Sequence, residues 1–82
     1  MKTAIKLQRY GGDHGTGVIA YHIEKDGIIV LFQKGWYYLY DNEKPGATHV
    51  KAMKQLARQG AGLSTYISRY VHSTYKRKWR ED

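Results

Sequence analysis

The stretch GVIAYHIEKDGIIVLFQKGWYYLYD, from Gly17 to Asp41, constrains this chain more than any other. It holds three runs rich in β-branched and aromatic residues, separated by KDG and QKG. Such runs, punctuated at this interval, predict three antiparallel strands in a meander. Side chains alternate across a strand, so the turns decide which residues share a face. Asp26–Gly27 predicts a two-residue type I′ turn, pairing Lys25 with Ile28, Ile23 with Val30 and Tyr21 with Phe32. QKG predicts a three-residue loop with Gly35 in the left-handed region. That loop pairs Phe32 with Trp36, Val30 with Tyr38 and Ile28 with Tyr40.

These registers place Ile19, Tyr21, Ile23, Ile28, Val30, Phe32, Trp36, Tyr38 and Tyr40 on one face. That face is apolar enough to lie under helices. Val18, Ala20, His22, Glu24, Ile29, Leu31, Tyr37 and Leu39 take the other. There Ile29, Leu31, Tyr37 and Leu39 form an apolar cluster, which needs a cover. The N-terminal segment through Ile5 and Leu7, a second subunit or a ligand would each serve. A two-residue turn at Lys34–Gly35 would swap Tyr38 and Tyr40 between faces.

Before the meander, KTAIKLQRY alternates weakly and reads as an edge strand or an ordered arm spanning residues 1–16. After it, Pro45 ends the sheet, since proline cannot donate a ladder hydrogen bond. Val50, Met53 and Ala57 then repeat at helical spacing, with Thr48 as N-cap and Gly60 as C-terminal cap. A second helix starts near Leu63 or Ser64. Leu63, Tyr66, Ile67, Tyr70, Val71, Thr74 and Tyr75 form its stripe. The expected fold is α+β: an antiparallel meander of three strands, or four with the N-terminal segment, and two C-terminal helices packed on one face. One domain spans residues 1–82, with the meander at 17–41, the helices at 47–75 and a basic tail at 76–82.

The net charge of +7 is unevenly placed. Residues 1–44 carry six Lys or Arg against five Asp or Glu; residues 45–82 carry eight against two. No acidic residue lies between Lys44 and Arg80. An asymmetry of this kind fits a polyanion partner, although a solvated surface is the plain alternative. On the first helix Lys51, Lys54 and Arg58 make one cationic ridge, and Arg69 adds to the second. KRKWR sets Lys76, Arg77, Lys78 and Arg80 around Trp79. Cations contact phosphates and an exposed Trp stacks on bases. The plain alternative is a solubilising tail with Trp79 folded back on the domain.

Catalytic and metal signals are poor. There is no cysteine, which removes disulfides, thiolate metal sites and cysteine nucleophiles. His14, His22, His49 and His72 lack paired metal-ligand spacing. Asp13–His14 lies in a glycine-rich loop with no oriented partner. The GGDHGTG loop lacks the ending of a phosphate cradle. Ser64, Ser68 and Ser73 have no nucleophile context. The chain is expected to be no enzyme and to need no cofactor or metal. Without disulfide staples, a signal-peptide core or a membrane-length run, it reads as a cytoplasmic protein.

From about Ile19 to Tyr75 the chain resembles the KTSC domain. That short domain is named for the C-terminal part of some lysyl-tRNA synthetases and also occurs alone in small proteins. Tyr21, then Ile28, Val30 and Phe32, then Gly35, Tyr38 and Tyr40 fall at matching steps. Pro45, Ala57, Gly60, Ile67 and Tyr75 follow. The loop before Pro45 is longer, Arg58 and Gln59 replace a common serine pattern, and Leu63 stands where an aromatic is common. The resemblance implies an α+β fold, and RNA binding is the usual suggestion for the family.

The expected function is non-catalytic binding of RNA or another nucleic acid. The site would comprise Lys51, Lys54, Arg58, Arg69, Lys76, Arg77, Lys78, Trp79, Arg80 and Tyr37. The competing expectation is a protein-interaction or homodimer surface at Ile29, Leu31, Tyr37 and Leu39. No membrane partner is expected.

Overall fold

The computed structural model describes residues 6–11 and 17–80. Five strands form one antiparallel sheet in the order of the chain. They are β1 (Gln8–Arg9), β2 (Val18–Glu24), β3 (Gly27–Phe32), β4 (Trp36–Asp41) and β5 (Arg77–Arg80). Helices α1 (Ala47–Gln59) and α2 (Leu63–Tyr66) follow β4, and α2 continues as a π-helical turn over Ile67–Val71. The fold is α+β, with two more strands than the three-stranded meander. The N-terminal segment supplies β1. The basic tail supplies β5, and so is no frayed extension.

The β3–β4 pairing is the expected one: Ile28 faces Tyr40 and Val30 faces Tyr38. Gly35 has φ of 87°, and its N–H donates to the Phe32 carbonyl at 3.0 Å. The β2–β3 turn differs. Lys25 and Asp26 form it, so Ile23 faces Ile28 and Tyr21 faces Val30. Neither Asp26 nor Gly27 takes the positive φ that a type I′ turn there would require. Gly27 is instead needed for space: a Cβ there would lie 2.6 Å from the Tyr40 carbonyl oxygen. The shift is two residues, so every side chain keeps its face.

A bulge between Val18 and Ala20 breaks that parity near the start of β2. Val18 joins the core, and Ile19, expected there, is 42% exposed. The extra residue in one strand turns Ile19 outward.

The core lies between one sheet face and the helices. Tyr21, Ile28, Val30 and Tyr40 meet Val50, Met53 and Ala57 of α1, and Leu63, Ile67 and Val71 of the second helix. Burying each large apolar side chain stabilises the fold by about 1.5–3 kcal/mol. The N-cap of helix α1 is Gly46 rather than the expected Thr48, and no side chain caps it. Its C-terminus is capped as expected: the Gly60 N–H donates to the carbonyls of Leu56 and Ala57.

The second helix is shorter than its sequence stripe. It ends at Val71, and Tyr75 lies beyond it. Leu63, Ile67 and Val71 are spaced by four residues. An α-helix over-rotates each such step, and the wider π turn rotates the last one back. Tyr70 is thereby left 59% exposed. At the other end, the N–H of Leu63 donates to the Tyr10 hydroxyl at 3.1 Å, which ties the N-terminal segment to α2.

Candidate nucleic-acid interface

The sheet face opposite the helices is built by strand register. Across one row Arg9 faces Ala20, Ala20 faces Leu31, Leu31 faces Tyr37 and Tyr37 faces Trp79. Across the next, His22 faces Ile29, Ile29 faces Leu39 and Leu39 faces Arg77. The Tyr37 and Trp79 rings stack with centroids 5.4 Å apart and planes 6° from parallel. Both are half-buried. Trp79 stands on the edge strand and Tyr37 covers one side of its ring.

The apolar cluster on this face is more covered than the sequence implies. Ile29 is 4% exposed, and Leu31, Tyr37 and Leu39 are half-buried. The segment before β1 approaches from one side, since His22 Nδ1 lies 3.1 Å from the Lys6 carbonyl oxygen. Leu7 is half-buried there, and Ile5 lies outside the described residues. The Asp13–His14 pair also lies outside them.

The expected basic set does not converge. Strand alternation sends Arg77 and Trp79 to the helix-free face, and Lys78 and Arg80 to the other. Lys78 Nζ sits 5.2 Å from the Trp36 ring centroid and 5.7 Å from that of Tyr75, and the Arg80 guanidinium sits 5.6 Å from Trp36. Lys76 ion-pairs with Glu43. The Glu43 carboxylate, by accepting a hydrogen bond from it, raises the Lys76 pKa. On α1, Lys51 and Arg58 are exposed, and Lys54 Nζ donates to the Lys25 carbonyl at 3.1 Å. The α1 ridge and Arg69 therefore belong to the helix layer, on the other side of the sheet from Trp79.

Arg77 has no ion pair among the described residues. Arg9, exposed on β1, joins it on the same face, a placement that sequence reasoning missed because the β1 register was unassigned. The alternation of cations with Trp79 in RKWR is the signal that reveals β5. Among the described residues no three His, Asp or Glu cluster as metal ligands, and no helix is long and apolar enough to cross a membrane. Comparison with known proteins found no matching family model, no matching curated protein and no matching solved structure.

Proposed function

We propose that the protein is a non-catalytic binding module for single-stranded nucleic acid, with RNA the favoured form. The observation that carries this reading is the Tyr37–Trp79 stack at the edge of the helix-free sheet face. Aromatic side chains on such a face accept stacked bases, and neighbouring cations hold the phosphates. Arg77 lies on the same edge strand two residues from Trp79, and Arg9 ends the same row. The resemblance over Ile19–Tyr75 favours RNA. The α1 ridge, Arg69 and the rest of the basic C-terminal half add a long-range attractive field.

The test is titration of labelled single-stranded RNA and DNA at several salt concentrations. Saturable binding that weakens with salt is expected. An absence of binding at low salt, or affinity unchanged by Trp79→Ala and Tyr37→Ala together, overturns the proposal. Light scattering after gel filtration addresses self-association through Leu31, Tyr37 and Leu39.

A further inference from the structure

The second face of the sheet holds a feature that the proposed interface does not use. An open cleft of about 460 Å³ lies between the ends of β3, β4 and β5 and the π turn. Its volume is within the range of ligand pockets, about 300–1,000 Å³. Phe32, Trp36, Tyr38, Tyr40 and Tyr75 are among the residues that line it. Tyr38 holds these rings together. It meets Phe32 and Tyr75 edge-on at 5.1 and 5.0 Å, and Tyr40 at 6.3 Å.

Its charged side chains, Lys34 and Lys78, have one sign. Lys34, His72 and Lys78 line it, and among the described residues no Asp or Glu does. Lys78 is placed over both Trp36 and Tyr75, so a cation stands beside two aromatic walls.

A buried polar group lies beneath the floor. Tyr40 is fully buried, and its hydroxyl has no hydrogen-bond partner among the described residues. Leaving a buried polar atom unpaired costs about 1–3 kcal/mol. A phenylalanine would fill the same space without that cost. The π turn, a distortion often found at functional sites, lines the same cleft through Ile67 and Ser68.

We propose that this cleft binds a small planar aromatic molecule carrying one anionic group. The ring packs among Trp36, Tyr38 and Tyr75, and the anion sits by Lys78, Lys34 and His72. This chemistry is shared by a nucleoside monophosphate and an aromatic carboxylate. The site is separate from the Tyr37–Trp79 stack, and either proposal survives failure of the other.

The chain has only two Trp, one in each site, so two indole N–H signals report on them separately in a nitrogen–proton NMR spectrum. Trp79→Phe assigns the pair. The probes are uridine 5′-monophosphate, adenosine 5′-monophosphate and 4-hydroxybenzoate, with uridine and inorganic phosphate as half-ligand controls. We expect saturable movement of the Trp36 signal with at least one probe, and binding about tenfold or more tighter than either control. Response to a nucleotide alone identifies that source, and response to the benzoate alone identifies the aromatic acid. Lys34→Ala and Lys78→Ala should each weaken binding about fivefold or more. Movement of the Trp79 signal alone, no saturation with any probe, or full affinity in both variants overturns the proposal.

Discussion

Trp79 of β5 stacks on Tyr37 of β4 in a near-parallel pair, and this contact joins the basic C-terminal segment to the sheet. An aromatic pair of this kind adds about 0.5–1.5 kcal/mol beyond its buried area. Trp79→Ala should therefore loosen β5 and lower Tm by roughly 2–12 °C, given about 4–8 °C per kcal/mol for a domain of this size. It should also weaken RNA binding about 5- to 150-fold, the range for losing one stacked base. Trp79→Phe should recover most of the stability and part of the affinity. Thermal melts and anisotropy titrations check both effects.

The split of the cations between two layers makes a second prediction. Arg77→Ala removes a charge beside the stack. It should lower RNA affinity and reduce the log–log salt slope by about 0.7, the value for one phosphate contact on a single strand. Neutralising Lys51, Lys54 and Arg58 together should weaken binding less than the single Arg77 change, and nearly alike for all sequences. Those three lie on the far side of the sheet and act through their field alone. A larger loss from the triple variant would move the interface to the helix layer.

The architecture and both faces of the central meander were legible in the sequence because they depend on parity. The error at Lys25–Asp26 shifted the register by two residues, and a shift of two moves no side chain to the other face. Ile19 escaped because one extra residue at a bulge reverses parity locally, and nothing in VIAYHIE marks it. The fifth strand escaped because a run of cations resembles a solvated tail in composition. Its stability comes from distant partners: Tyr37 for Trp79, the Leu39 carbonyl for the Lys76 N–H at 2.7 Å, and Glu43 for the Lys76 side chain. Helical periodicity ran past Val71 to Tyr75 for a related reason. Tyr75 packs against Tyr38 in the same core margin after the helix has ended.

The Tyr10 hydroxyl accepts the N–H of Leu63, one of the first-turn amides that a helix cannot pair internally. Gly62, preceding α2, has no side chain to do this. Tyr10→Phe keeps the buried ring and removes the acceptor. It should cost about 1–2 kcal/mol, as for loss of a cap, and lower Tm by roughly 5–15 °C. Hydrogen exchange at Leu63 should accelerate more than at Val50, whose N–H donates to the Gly46 carbonyl within α1. Equal acceleration at both would mean that Tyr10 acts on the whole fold and not on this cap.

Tyr40 predicts a dependence of stability on alkaline pH. Burial, with smaller contributions from the Tyr38 and Tyr75 phenols, pushes its pKa well above the ordinary tyrosine value of about 10. The folded state then keeps a proton that the unfolded chain gives up. Stability from this group is fully present below about pH 10 and falls above it, by about 1.4 kcal/mol per pH unit, until the buried phenol itself ionises. Tyr66 is shifted the same way, by burial first and then by Tyr70, but it is only partly buried and contributes less. Denaturant unfolding between pH 7 and 12 measures the effect. Tyr40→Phe should match or exceed the parent at pH 7 by up to about 1 kcal/mol, because it deletes an unpaired buried hydroxyl. Its stability should then fall less steeply above pH 10, by close to one proton. Parallel pH profiles for the two proteins would show that Tyr40 ionises in the folded state as readily as in water.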